Sequence, residues 1–188
     1  MRILILGPQG SGKGTQAQRI AAGYGVPHIA TGDMFRAAVA AGSEVGAQVG
    51  PILERGDLVP DDLTIELIRE RLAEEDGFVL DGFPRTVPQA EALDAMLEEI
   101  GKPLDAVILL QVSDDVATER LRERAVKEGR ADDSPEAIAN RLRQYHELTE
   151  LVVDRYQQAG IEVIVDGEQT MDAVFAAIQD ALEGVTAR

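Results

Sequence analysis

The chain has 188 residues, and its composition, 45% hydrophobic and 28% charged, is that of a globular protein rather than a disordered or repetitive one. Its 34 acidic and 18 basic residues give a net charge of −16, which argues against a surface that binds nucleic acid or anionic membranes in general. No apolar run approaches the roughly 20 residues of a membrane span. Because the first residues lack a secretory signal and cysteine is absent, we expect a single cytoplasmic domain over residues 1–188 without disulfides.

The first third of the chain alternates between short apolar runs and helical patterns. Residues 2–6 predict a strand buried on both faces, and residues 13–24 carry apolar side chains at helical spacing. A second short strand over residues 27–30 leads into a helix opened by the polar segment Thr-Gly-Asp. Residues 35–59 are rich in alanine and glycine, so they can form helices around only a thin core. We therefore predict a small mobile subdomain in this stretch.

The same alternation continues to the end of the chain. We predict helices over residues 62–75, 87–100 and 171–183, and strands over residues 78–82, 106–112 and 161–166. Residues 114–160 are helical but interrupted near Gly129, where the sequence VKEGRADDSP loses its apolar periodicity and predicts an exposed loop or flap. Five strands alternating with helices predict an α/β fold, a five-stranded parallel sheet with helices on both faces.

A glycine-rich segment carries the clearest chemical signal. Residues 7–15, Gly-Pro-Gln-Gly-Ser-Gly-Lys-Gly-Thr, lie between the first predicted strand and helix, which is the context of a phosphate-binding loop. The glycines let backbone N–H groups converge on phosphate oxygens, and Lys13 places a cation against the phosphoryl group. The general motif has Ser or Thr after the lysine, whereas here Gly14 follows and the hydroxyl belongs to Thr15. This form resembles the loop of nucleoside monophosphate kinases.

Further motifs extend the resemblance over nearly the whole chain. The segments are ATGDMFR (30–36), GDLVPD (56–61), LDGFPRT (80–86) with Gln89, and RERAVKEGRADD (122–133) with Arg141. In this order and spacing the chain resembles the adenylate kinase family. The resemblance implies a P-loop kinase fold with an NMP-binding subdomain (residues 30–59) and a short lid (residues 125–135), each closing over one nucleotide. It also implies a monomer that uses Mg²⁺ with ATP, transfers a phosphoryl group reversibly to AMP to give two ADP, and has no zinc in its cysteine-free lid.

Phosphoryl transfer between nucleotides needs positioning and charge neutralisation rather than a general base, because the attacking phosphate oxygen is already ionised. A cage of cations that also excludes water meets that need, and the planar fork of arginine suits phosphate. The resemblance assigns the catalytic positions to Lys13, Arg85, Arg124, Arg130 and Arg141. We expect both histidines, His28 and His146, to be structural.

The resemblance also assigns two nucleotide sites. The ATP site comprises Gly10, Ser11, Gly12, Lys13, Gly14, Thr15, Arg120, Arg124 and Gln169. The AMP site comprises Thr31, Arg36, Asp57, Leu58, Val59, Gly82, Phe83, Pro84, Arg85, Gln89, Arg130 and Arg141. Gln89 would recognise the adenine edge, since a carboxamide both donates and accepts hydrogen bonds. Asp81, with Asp33 as a second candidate, would hold magnesium through a water molecule.

Other functions remain open from the sequence alone. A kinase of the same shape could act on UMP, CMP or another monophosphate, although Gln89 and Thr31 favour AMP. A nucleotide sensor could bind and close without transferring phosphate, but every expected cationic position is occupied. A GTPase is disfavoured because the guanine-recognition motif Asn-Lys-x-Asp needs an asparagine followed by lysine, and Asn140 is followed by arginine.

Overall fold

The computed structural model describes residues 1–129 and 131–186, and a five-stranded parallel sheet forms its centre. The strands are β1 (Arg2–Leu6), β2 (His28–Ala30), β3 (Phe78–Asp81), β4 (Ala106–Gln111) and β5 (Glu162–Asp166). They pair in the order β2-β3-β1-β4-β5. The predicted parallel sheet is thus confirmed. Because the chain crosses from one side of β1 to the other, the carboxyl end of β1 is the switch point at which such sheets bind ligands.

Nine α-helices surround the sheet in the described part of the chain. They are α1 (Lys13–Tyr24), α2 (Thr31–Ala40), α3 (Glu44–Glu54), α4 (Asp61–Leu72), α5 (Val87–Glu99), α6 (Asp114–Glu128), α7 (Pro135–Gln144), α8 (Glu150–Gln158) and α9 (Met171–Thr186). A one-turn 3₁₀ helix, Ala131–Asp133, precedes α7, and a π-helical turn, Tyr145–Thr149, joins α7 to α8. None of these described helices is long and apolar enough to cross a membrane.

The core lies on both faces of the sheet because successive strand residues point to opposite sides. Leu4 and Leu6 of β1 belong to one buried cluster, which α4, α5 and α8 cover. Ile3 and Ile5 belong to the other, which α1 and α9 cover. Burial on both faces explains why the strand sequences are continuous apolar runs rather than alternating ones. A smaller cluster around Phe35, Val49 and Val59 forms the core of α2 and α3, apart from the sheet.

The largest difference from the predicted elements lies in the flap. The sequence predicts an exposed loop from Val126 onward, but α6 continues through Glu128 and ends at Gly129, which has a φ of +63°. Asp132 and Asp133, predicted to be exposed, are buried. The prediction was wrong for the last turn of α6 because that turn faces solvent and therefore carries no apolar periodicity; the Val126 side chain is 88% exposed. It was wrong for Asp132 and Asp133 because their carboxylates pair with Arg124 and Arg141.

Candidate active site

A cleft of about 660 Å³ opens at the carboxyl ends of the central strands. The phosphate-binding loop and α1 form its floor, α2 and the end of β3 form one wall, and α6, α7 and the segment after β5 form the other. The residues predicted for both nucleotide sites that line it are Gly10, Ser11, Gly12, Lys13, Gly14, Thr15, Arg36, Asp57, Gly82, Arg85, Arg120, Arg124, Arg141 and Gln169. The two candidate magnesium ligands, Asp33 and Asp81, line it as well.

The phosphate-binding loop packs too closely on α6 for any side chain at Gly10. That residue has a φ of +86°, and a Cβ there would lie 2.5 Å from the carbonyl oxygen of Ala117. Lys13 curls back over the loop, where its Nζ donates hydrogen bonds to the carbonyl oxygens of Gly7 (2.7 Å) and Pro8 (2.8 Å). Burial lowers the pKa of Lys13 to about 8. Near and above a pH of about 8, a nearby anion would therefore favour the charged form of this lysine.

Lys13, Asp81 and Arg85 form a partly buried group of charges at the end of β3. Burial favours the neutral carboxyl of Asp81, but the neighbouring His28 ring and the charges of Lys13 and Arg85 outweigh it, so the pKa of Asp81 lies below its usual value. The Nε2 of His28 lies 3.6 Å from an Asp81 oxygen, an ion-pair distance. Asp81 also lies beside the loop, since a Cβ on Gly14 would lie 3.5 Å from its Oδ2.

Arg85 contributes a partly buried cation to the cleft. Its Nε donates to the carbonyl oxygen of Gly82 (2.8 Å), and the structure gives it no acidic partner within ion-pair distance among the described residues. Burial and repulsion by Arg141 lower the pKa of Arg85 to about 10. The charge of Asp81 offsets only part of this effect, so a bound anion would stabilise the guanidinium further.

Two neighbouring carboxylates, Asp132 and Asp133, accept hydrogen bonds from other arginines of the cleft. Asp133 accepts hydrogen bonds from Arg124 through both of its oxygens (2.7 Å each) and from Arg141 at 2.6 Å. Asp132 accepts from Arg141 at 2.7 Å and lies 3.6 Å from Arg36. The Asp133 side chain is fully buried. These acids fix the orientation of the arginines and offset part of their charge.

The residues predicted around the ATP adenine lie together on the far side of the cleft. Arg120, on α6, donates a hydrogen bond to the carbonyl oxygen of Gly167 (2.9 Å). Gln169 follows in the same turn and donates to Asp166 at 3.3 Å. The guanidinium of Arg120 thus lies beside the turn after β5 that contains Gln169.

The predicted AMP residues divide into those that line the cleft and those that lie behind its wall. Gln89 is buried; its Oε1 accepts from the backbone N–H of Arg85 (2.8 Å) and its Nε2 donates to Asp61 (2.7 Å). The Thr31 hydroxyl donates to the Gly82 carbonyl oxygen (2.9 Å). These side chains support the wall that carries Arg85, and base recognition by Gln89 stays a prediction.

The remaining AMP predictions concern main chain rather than side chains. Phe83 and Val59 are buried in the hydrophobic clusters, Pro84 is buried beside Phe83, and Leu58 is half-buried outside the cleft lining. The carboxylate of Asp33 pairs with Arg36, which leaves Asp81 as the better placed of the two candidate magnesium ligands. Arg130, predicted to touch both nucleotides, lies outside the described residues.

Sequence reasoning missed the carboxylates that hold the arginines. The two adjacent aspartates of the lid motif were a visible signal, but the surrounding charged residues predicted exposure. Met171 and Lys127 also line the cleft without having been predicted. Met171 lies at the start of α9, where the spacing of apolar residues already predicted a helix.

The sheet is parallel, carries a phosphate-binding loop at its switch point, and has cations on opposite walls of one cleft. This combination defines a phosphotransferase of the P-loop kinase class.

Comparison with known proteins specifies the family. The adenylate kinase family model matches residues 5–161. The chain is 48% identical over 187 residues to an adenylate kinase of Stenotrophomonas maltophilia (strain R551-3), covering 98% of this chain and 100% of the relative. It is also 48% identical over 185 residues to one of Xanthomonas euvesicatoria pv. vesicatoria (strain 85-10), covering 97% and 99%. The chain belongs to the adenylate kinase family.

Proposed function

We propose that the chain is an enzyme that transfers the terminal phosphoryl group of Mg-ATP to AMP, reversibly, giving two ADP. The observation that carries this proposal is the placement of Lys13, Arg36, Arg85, Arg124 and Arg141 around one cleft that opens on the phosphate-binding loop. Two nucleotides entering from opposite ends would bring their phosphates together among these cations. The reaction is close to balanced because the phosphoanhydride bond that breaks resembles the one that forms.

The cleft supplies charge rather than acid-base chemistry. The phosphate of AMP is ionised near neutral pH, so its oxygen can attack the γ-phosphorus of ATP without a proton acceptor. Lys13 and Arg124 lie on the side assigned to ATP, and Arg36 and Arg85 lie on the side assigned to AMP. Arg141 lies between them, held by Asp132 and Asp133. These fixed cations would stabilise the charge that spreads over the transferring group.

Magnesium would enter with ATP and stabilise the negative charge of the triphosphate. This ion prefers six oxygen ligands and keeps several waters, so a single nearby carboxylate is enough protein support. Asp81 fits this requirement because it is ionised, partly buried and adjacent to Gly14 and Lys13. Its role would be to accept a hydrogen bond from a magnesium-bound water.

We further propose a cytoplasmic monomer whose partners are ATP, AMP and ADP. Closure of the NMP-binding subdomain and the lid would exclude water, which competes with AMP for the phosphoryl group.

The experiment that tests the function measures ADP formation from Mg-ATP with AMP, CMP, UMP and GMP in parallel. We expect turnover confined to AMP. Preference for another monophosphate would retain the phosphate cage but contradict the assignment of the base site. Binding of ATP and AMP without turnover would contradict the enzyme and favour a nucleotide sensor.

A further inference from the structure

Arg85 lies in a segment without regular secondary structure. The segment, residues 82–86, joins β3 to α5. Among the described residues, no hydrogen bond between backbone groups involves residues 83–85. A helix or strand satisfies its own main-chain groups, whereas a segment of this kind depends on side chains that reach it from elsewhere. The placement of Arg85 therefore follows from the side chains that hold its main chain.

Two buried side chains hold the main chain of Arg85, one on its N–H and one on its carbonyl. The Oε1 of Gln89 accepts a hydrogen bond from the Arg85 N–H (2.8 Å). The Thr149 hydroxyl donates to the Arg85 carbonyl oxygen at 3.0 Å. Gln89 belongs to α5, which directly follows the segment, whereas Thr149 lies 64 residues further along the chain. Thr149 is thus the contact that fixes Arg85 relative to another part of the fold.

Thr149 is the last residue of the π-helical turn between α7 and α8. In this turn the N–H of Glu150 donates to the carbonyl oxygen of Tyr145, five residues earlier. Such turns are rare within helices and occur frequently at functional sites. The Thr149 side chain is only 7% exposed, so its hydroxyl needs a partner within the protein. The Arg85 carbonyl is that partner.

The helical segment that supplies Thr149 also carries a cation of the cleft. Arg141, on α7, lies about two turns before Thr149 and is held by Asp132 and Asp133. Burial and repulsion by Arg141 lower the pKa of Arg85. The two like charges therefore tend to move apart. The hydroxyl of Thr149 opposes this movement, because it ties the Arg85 main chain to the segment from which the repulsion comes.

We propose that Thr149 is a positioning residue that fixes Arg85 in the cleft at a set separation from Arg141. Thr149 lies outside the lining of the cleft, so it acts through the Arg85 carbonyl and touches no nucleotide. The proposal rests on the proposed function, since it concerns how well Arg85 meets the transferring phosphoryl group. Its physical consequence is a rate effect, because a displacement of about 1 Å at a reacting centre can cost about 100-fold.

Steady-state kinetics of two variants separate the hydroxyl from the rest of the side chain. Thr149→Val keeps the shape and removes the donor, and we expect kcat to fall about tenfold with the KM for ATP unchanged. Thr149→Ser is the matched control, which keeps the hydroxyl and is expected to retain most of kcat. An unchanged kcat in Thr149→Val would overturn the proposal. So would equal losses in both variants, which indicate that the methyl group and its packing are responsible.

A double variant tests whether Thr149 acts through Arg85. In the Arg85→Ala background the guanidinium that Thr149 positions is absent, so adding Thr149→Val is expected to cause no further loss of kcat. A further tenfold loss in this background would overturn the proposal, because the hydroxyl would then act independently of Arg85.

Amide hydrogen exchange tests the contact without nucleotide or turnover. We expect the Arg85 N–H to exchange about tenfold faster in Thr149→Val than in the unaltered protein, since the segment opens more often when its carbonyl is released. Thr149→Ser is expected to leave that rate unchanged, and the amides of β4 are expected to keep their rates in both variants. An unchanged Arg85 rate in Thr149→Val, or equal acceleration in β4, would overturn the proposal. Failure of the unaltered chain to form ADP would contradict the proposed function, while the exchange rates would still report how Thr149 holds Arg85.

Discussion

Arg85 shows how a single residue is prepared for an anion. It lies in the wall of the cleft with one carbonyl contact and no described acidic partner, whereas Arg124 and Arg141 share Asp133. The protein therefore leaves Arg85 without a described carboxylate in direct contact, whereas Asp133 orients Arg124 and Arg141. A phosphate that binds here would bring negative charge next to the Arg85 guanidinium, whose pKa burial and Arg141 lower.

Substitution of Arg85 by alanine tests this role. We expect Arg85→Ala to lower kcat on the order of 100-fold, the usual loss when one fixed donor to developing charge is removed. The control is Arg122→Ala, which removes the same charge from an exposed position on α6 outside the cleft. Equal rates for Arg85→Ala and the unaltered protein would mean that the phosphate cage is misplaced.

Lys13 gives a prediction about protons. Its pKa is lowered to about 8, so above that pH the free protein holds a partly neutral lysine. Bound triphosphate favours the charged form and raises the pKa, hence Mg-ATP binding should take up protons at pH about 8.5 and almost none at pH about 7. Calorimetry in two buffers of different ionisation enthalpy measures the uptake. Lys13→Arg, which stays charged, should abolish it, and binding without proton uptake in the unaltered protein would contradict the buried lysine.

Among residues, the sequence predicts the cations better than their partners. The phosphate-binding loop and the arginine motifs have fixed spacing, and the described members of that set do meet in one cleft. The hydrogen bond of Gln89 to Asp61, and those of Asp133 to two arginines, join positions on different elements. No local pattern specifies such pairs, because they depend on how the elements pack.

Among the secondary-structure elements, the apolar runs of the sequence predict the strands, but no sequence pattern predicts the structure of the lid. All five predicted strands agree with the structure to within a residue or two, since burial on both faces leaves a continuous signal. The last turn of α6 has no such signal, and it extends into the predicted flap. The burial of Asp132 and Asp133 is a tertiary effect of Arg124 and Arg141, which no helical periodicity reveals.

The π-helical turn between α7 and α8 carries His146, which interacts in a pH-dependent way with carboxylates at the starts of α8 and α6. His146 lies 2.7 Å from Glu150 at the start of α8 and 3.0 Å from both oxygens of Asp114 at the start of α6. Hydrogen bonding to Glu150 and Asp114 raises the pKa of His146. The charged ring therefore stabilises the fold below its ordinary pKa of about 6.5, and this contribution is lost as the pH rises through the higher folded value.

Urea unfolding of His146→Gln measures how much the charged histidine contributes to the free energy of unfolding. We expect the variant to lower the free energy of unfolding at pH about 6 and to have little effect at pH about 9, where the histidine is neutral in both states. Arg143→Gln is the control, because it removes an exposed pair with Glu147 whose charges do not change over this range. A pH-independent loss in His146→Gln would show that packing, not charge, is responsible.

For anion binding by the whole molecule, the distribution of charge matters more than the net charge. The net charge is −16, yet two lysines and five arginines line the one cleft at the switch point of the sheet. Composition alone therefore excludes general anion binding but not a concentrated anion site. The sequence predicts five parallel strands, while their order depends on the crossovers, which the apolar runs do not encode.

All the roles assigned to the cleft residues depend on transfer of a phosphoryl group between two nucleotides inside this cleft. The most direct test supplies Mg-ATP labelled in its terminal phosphate together with unlabelled AMP, and follows the label. We predict that two ADP form for each ATP consumed and that the label appears in the terminal phosphate of the ADP made from AMP. Label released as inorganic phosphate, with AMP left unchanged, would contradict phosphoryl transfer between the two nucleotides.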